Sequence, residues 1–241
     1  IVMSFIDGMD LETFLDRVQK PPLPLDDALT IFRRILTVLK YLQSQKPPVV
    51  YRDLKPANII LKDDTLYLVD FGIAKFLESG KPGTMMGTVG YASPDQCRGN
   101  DNLSNDIYSL GVLMHYILTG KDPQDPSRPV FVFEPVRKLN PKIPFYLENL
   151  ISSMLEIVSS NRIASVDDIS KLLDAGEQNS RQYQPLQVYS VASGITGIPG
   201  FAASVKRQPD CSHGQIPPIG KISSSDFFEA AKQGDAGIVK I

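Results

Sequence analysis

Asp53, Lys55, Asn58 and Asp70 lie in the run YRDLKPANIILKDDTLYLVDFG. These residue types are those that movement of a phosphoryl group requires. The reaction needs a carboxylate to take the proton of an acceptor hydroxyl, and hard oxygen ligands for a divalent metal that neutralises phosphate oxygens. Asp53 follows a short apolar strand (Val49, Val50) in a polar turn and is the candidate proton acceptor. Lys55, two residues on, can contact the transferred phosphate. The apolar runs 59–62 and 66–69 flank Asp63-Asp64-Thr65, which predicts a β-hairpin. Asn58 and Asp70 stand at the outer ends of that hairpin, so strand pairing draws them together as a candidate Mg2+ site.

The rest of the chain supplies elements to position these groups. Residues 1–6 read as a buried strand followed by an Asp7-Gly8 turn, and Asp10 can cap a short helix over 11–18 that Pro21, Pro22 and Pro24 end. Ala28, Phe32, Ile35, Leu39 and Leu42 recur at helical spacing within 26–45, and the charges of that stretch read as its solvated face. Residues 70–103 read as a long functional loop. An apolar helix is expected over 104–119, capped by Ser104 and stopped by Gly120. Further helices fit 144–157 and 166–175, the second opened by a Ser165/Asp168 capping box. His115 reads as a packed structural histidine and Cys97 as a small buried residue.

From Gly176 to Gly220 the chain is rich in Gly, Pro, Ser and Gln, the composition of a disordered linker. Gly194, Gly197 and Gly200 fall there and read as linker rather than as a phosphate loop. Helical character returns at 225–241. The 241 residues carry 42% apolar and 22% charged residues and a formal net charge of −2, so composition gives no reason to expect a nucleic-acid partner. No apolar run approaches the ~20 residues of a membrane span. Cys97 and Cys211 form no CxxC pair, which fits a cytoplasmic protein. Both ends read as cut through structure.

Together the motifs resemble the Ser/Thr protein kinases of the eukaryotic (Hanks) type. Tyr51 to Asn58 (YRDLKPAN) is similar to the catalytic loop H-R-D-L-K-x-x-N, and Asp70-Phe71-Gly72 to the metal-binding D-F-G. GTVGYASPD resembles G-T-x-x-Y-x-A-P-E, and DIYSLG, Asp106 to Gly111, resembles the buried helix that anchors the catalytic loop. Arg162 matches the late arginine that pairs with the acidic residue of A-P-E, here Asp95. The resemblance implies a mainly α fold within the α+β kinase class: a helical C-lobe with a small hairpin at its catalytic face, then a disordered tail. It divides the chain into a kinase domain at 1–174 (hinge and C-lobe, N-lobe truncated), a linker at 175–224, and a helix at 225–241 resembling the start of an ankyrin repeat.

It further implies ATP with Mg2+ or Mn2+ as cofactors, and protein Ser/Thr hydroxyls as substrates in signal transduction. Met3 takes the gatekeeper place, Ser4 and Ile6 meet the adenine edge, Asp10 reaches the ribose and Ile60 forms the floor under the base. Asn58 and Asp70 hold the metal. Arg52 pairs with an activation-loop phosphate, for which Thr84 is the first candidate among Ser79, Thr84 and Thr88. Thr88 instead bonds Asp53 and Lys55. Lys55 and Thr88 resemble Ser/Thr rather than Tyr kinases. Asp106 is read as a buried anion accepting main-chain amides in preference to a simple helix cap. Three departures stand out: Tyr51 for His, Ser93 and Asp95 for Ala and Glu, and no G-x-G-x-x-G before the hinge. The last implies weak ATP binding by this stretch alone. The alternative is a kinase-like scaffold (a pseudokinase) acting through protein partners of C-terminal repeats.

Overall fold

The structure is a computed structural model that describes residues 6–63, 65–71, 75–76 and 87–182. Along the chain run β1 (Met9–Asp10), α1 (Leu11–Arg17), α2 (Leu25–Gln43), β2 (Val49–Val50), β3 (Ile59–Lys62), β4 (Thr65–Leu68) and β5 (Lys75–Phe76). Then come α3 (Pro94–Cys97), α4 (Ser104–Thr119), α5 (Val136–Leu139), α6 (Phe145–Met154) and α7 (Val166–Gln182). Of the strand expected over 1–6, residues 1–5 lie outside the described residues and Ile6 is irregular; Met9–Asp10 form a short strand further on.

Asp10 caps α1 as its position predicts. Its carboxylate accepts from the Thr13 amide at 2.7 Å and from the Thr13 hydroxyl at 2.8 Å. The hairpin forms with Ile59 opposite Leu68 and Lys62 opposite Thr65, so its second strand starts one residue earlier than the apolar run 66–69. β1 adds to its other edge, with Asp10 opposite Ile60, and β2 pairs separately with β5.

The helices pack around α4. Its residues from Asn105 to Leu118 are buried except Tyr116, the pattern of a helix surrounded by protein on every side. Leu103, not Ser104, takes its N-cap position, because the Ser104 hydroxyl is turned to the side chains of Asn102 and Arg162. Gly120 ends it at φ 72°, a left-handed geometry that glycine adopts without cost. Ala28, Phe32, Ile35, Leu39 and Leu42 of α2 are all buried against this core.

Other expectations are corrected. The polar face of α2 is not simply solvated: Arg33 meets Asp174 at 2.7 Å and Glu177 at 2.9 Å, and Lys40 meets Asp167 at 2.6 Å, all on α7. α7 runs on through Gly176 to Gln182, so 175–182, expected as the start of the linker, is helical. Ser165 and Asp168 do open it as a capping box, at 2.6 and 3.1 Å. α6 stops three residues short of 157, at Met154. Within the loop expected over 70–103 lie β5 and α3. Cys97 is exposed, because Pro94 and Gln96 take the buried side of α3. Among the described residues no helix is long and apolar enough to cross a membrane.

Candidate active site

The segment between β2 and β3 carries Tyr51 to Asn58 and is fastened from several elements. Asp106, fully buried in the first turn of α4, accepts the main-chain amides of Tyr51 and Arg52, each at 2.8 Å. Burial raises its pKa to about 6, and these two hydrogen bonds oppose the rise. Arg52 and Asp70 both adopt left-handed backbone, at φ 75° and 58°. Tyr51 is wholly buried; its hydroxyl donates to the Val69 carbonyl and its ring meets Phe71 edge-on at 5.0 Å. Burial pushes the Tyr51 phenol far above its ordinary range.

Asp53 is the hub of the site. One carboxylate oxygen accepts the Thr88 hydroxyl at 2.6 Å. The other accepts the Asn58 side-chain amide at 2.8 Å and faces the Lys55 ammonium at 3.0 Å. Lys55 also donates to Thr88 Oγ1 at 2.8 Å, closing a ring of three side chains. Asn58 donates a second time, to the Asp53 carbonyl at 2.9 Å. The Asn58 carbonyl accepts the Val69 amide at 3.0 Å, which extends the hairpin ladder one step and sets Asp70 just beyond Asn58. The site is partly open: Asp53 and Lys55 side chains are 11% and 24% exposed. The carboxylate is fixed by three donors.

Residues 1–173 match the family described as the protein kinase domain. The chain belongs to the protein kinase family. It is 34% identical over 182 residues to the probable serine/threonine-protein kinase PknB of Lactococcus lactis, covering 70% of this chain and 28% of that protein. It is 35% identical over 200 residues to serine/threonine-protein kinase A of a Synechocystis species, covering 73% of this chain and 38% of the relative. With the PrkC kinase of Bacillus subtilis the identity is 28% over 200 residues, 76% of this chain and 30% of the relative. The chain thus spans between 28% and 38% of the length of these relatives.

Within the kinase chain, the remaining motif residues sit as follows. Arg162 is buried; it donates to the carbonyls of Ser104 and Glu156 at 2.9–3.0 Å and stacks over Tyr108 at 5.0 Å. Its contact with Asp95 is a single one at 3.4 Å, as the shorter acid expects. Burial lowers the Arg162 pKa, with Asp95 opposing. Ser93 is a helix cap: its hydroxyl accepts the Gln96 amide at 3.1 Å and donates to Asn105 at 3.0 Å. Ile60 is buried beside Asp10 in the sheet, and Ile6 is half-buried. Met3, Ser4, Gly72, Ser79 and Thr84 lie outside the described residues.

Sequence reasoning missed three groups around Arg52. Gln96, buried, donates to the Arg52 carbonyl at 2.8 Å, and Asp101 forms an ion pair with the Arg52 guanidinium. Asn105 links Ser93 to the Asn100 carbonyl. A local signal exists only for the short helix that carries Gln96: Ser93 caps it and Pro94 takes its first position. His115 is buried with its ring on the Glu134 carbonyl at 2.9 Å, a structural role. It borders a cavity of about 290 Å3 with Phe131, Phe133 and Glu156, which shares no residue with the Asp53 site.

Proposed function

We propose that this chain carries the phosphoryl-transfer machinery of a protein serine/threonine kinase, moving the ATP γ-phosphoryl group to Ser or Thr hydroxyls of proteins. The observation that supports it most is the Asp53 carboxylate held by Thr88, Lys55 and Asn58 beside the end of the hairpin. Asp53 orients the acceptor hydroxyl and takes its proton. Lys55 balances charge on the transferred group. Thr88, bridging Lys55 and Asp53, shapes the place where the hydroxyl arrives.

The donor set fits a hard divalent cation. Asn58 spends its amide nitrogen on Asp53, which leaves its side-chain oxygen for a ligand role, and Asp70 adds a carboxylate at the same hairpin end. Mg2+ or Mn2+ bound there would neutralise phosphate oxygens. On this reading Asp10 meets the ribose, Ile60 the base, and Met3, Ser4 and Ile6 the adenine edge; the pairing of Asp10 with Ile60 across the sheet supports the first two. Phosphorylation of Thr84, a cytoplasmic location, and protein contacts through an ankyrin-like segment at 225–241 belong to the same proposal. So does a domain layout of kinase unit, linker and terminal helix, with the kinase unit extended to Gln182.

The test is phosphate incorporation by the full-length protein with Mg2+ and labelled ATP. Wild type labels itself or a basic protein on Ser or Thr, and Asp53→Asn does not. Equal labelling by the two would overturn the proposal.

A further inference from the structure

Arg52 stands directly before Asp53 and is gripped at three separate points. Its amide donates to Asp106 at 2.8 Å, its carbonyl accepts from Gln96 at 2.8 Å, and its guanidinium pairs with Asp101. The side chains of the ion pair are 3% and 6% exposed, and Gln96 is fully buried. The backbone they hold is left-handed, at φ 75°, a conformation that an arginine keeps only when its surroundings dictate it. Asp106 belongs to the recognised anchor helix, whereas Asp101 and Gln96 belong to no motif that the function has used.

We propose that Asp101 and Gln96 are positioning residues for Asp53, acting through Arg52. Asp101 supplies from within the fold the negative charge that Arg52 requires, and Gln96 fixes the peptide that leads into Asp53. The left-handed turn at Arg52 directs the chain so that Asp53 meets Thr88, Lys55 and Asn58. Loosening either contact lets that turn relax and moves the carboxylate. The ion pair joins the catalytic loop to the segment just before the anchor helix, so a carboxylate of the lobe itself faces Arg52. Removing Asp101 takes away the carboxylate that pairs with the buried Arg52 guanidinium, so the effect passes to Arg52 and then to its neighbour.

This inference rests on the proposed kinase activity, and the experiment separates the two. The full-length protein, wild type and Asp101→Asn, is assayed for kcat and for KM of ATP and of a protein substrate, well below the melting temperature. A displaced general base costs turnover more than affinity, so kcat should fall about 10²-fold while both KM values change little. In an Arg52→Met background the further substitution Asp101→Asn should have almost no additional effect, because the path through Arg52 is already cut. Unchanged kcat in Asp101→Asn, or an equal loss in both backgrounds, would overturn the inference. Where Asp101→Asn does not fold, Gln96→Leu, which leaves the ion pair intact, is read instead: a fall in kcat with both KM values retained supports the inference, and wild-type kcat contradicts it. An inactive wild type would instead count against the kinase assignment itself.

Discussion

Asn58 turns its side-chain nitrogen on Asp53 twice, reaching the carboxylate at 2.8 Å and the main-chain carbonyl at 2.9 Å. A side-chain amide carries its oxygen on the opposite branch. The contact that steadies the proposed base therefore also decides which atom of Asn58 is offered to a cation. In the proposed site one residue thus couples the proton-accepting and the metal-binding halves, and the hairpin ladder from Asn58 to Val69 leads on to Asp70.

Thr88 bridges the two charged groups, donating to Asp53 at 2.6 Å and accepting from Lys55 at 2.8 Å. Thr88→Ala removes a charge-assisted hydrogen bond of about 1.5 kcal/mol and should lower kcat about tenfold. Thr88→Ser keeps the hydroxyl and should retain most of the rate. Steady-state kinetics on the two variants of the full-length protein check this; equal rates for Ala and Ser would remove Thr88 from the site.

Gly176 lies within α7 with the Tyr146 ring against it: an added Cβ would sit 2.2 Å from a ring carbon and 2.9 Å from the Tyr146 Cβ. On an open helix, Gly→Ala gains about 1 kcal/mol. Here overpacking costs about 1–3 kcal/mol, and the clash with the Tyr146 Cβ limits how far the ring can swing away. Gly176→Ala should therefore lower stability, and Tyr146→Ala in the same chain should turn the substitution neutral or favourable. Urea unfolding of the single and double variants measures it.

His115 is buried, and burial holds its pKa below the ordinary value, so the folded protein keeps it neutral. In the unfolded chain it takes a proton near pH ~6.5. Below that pH the unfolded state binds more protons than the folded one, so the stability contribution is complete above pH ~6.5 and is lost as the pH falls below it. Unfolding free energies at pH 7.5 and 5.5 should drop for wild type and stay nearly level, from this source, for His115→Gln. An identical pH response of both proteins would contradict the assignment.

Much of this was legible in local sequence. The α2 face follows from the 3.6 period of Ala28, Phe32, Ile35, Leu39 and Leu42, and the hairpin from two apolar runs around a polar turn. The Ser165/Asp168 cap is a contact between neighbours. What stayed hidden depends on residues distant in the chain. Gly176 reads as the first residue of a linker until Tyr146 is seen against it, and the ion pairs from α2 to α7 appear only once the two helices are side by side. Gln96 and Asp101 are ordinary polar residues in sequence; only folding buries them against Arg52, which lies more than 40 positions earlier. Cys97 was misplaced because a four-residue helix has too few positions to show its buried side.

In the proposed site Asn58 and Asp70 offer oxygens to one nucleotide-bound metal while Asp53 serves the acceptor hydroxyl. Binding of Mn2+ with ATP to the full-length protein, followed by electron paramagnetic resonance, tests the division directly. Asn58→Leu and Asp70→Asn should each weaken metal-nucleotide binding about tenfold or more, the loss of one ligand interaction of ~1.4 kcal/mol or above. Asp53→Asn should bind as wild type does. If Asn58→Leu and Asp70→Asn also bind Mn2+ and ATP as tightly as wild type, those two residues do not form the metal site.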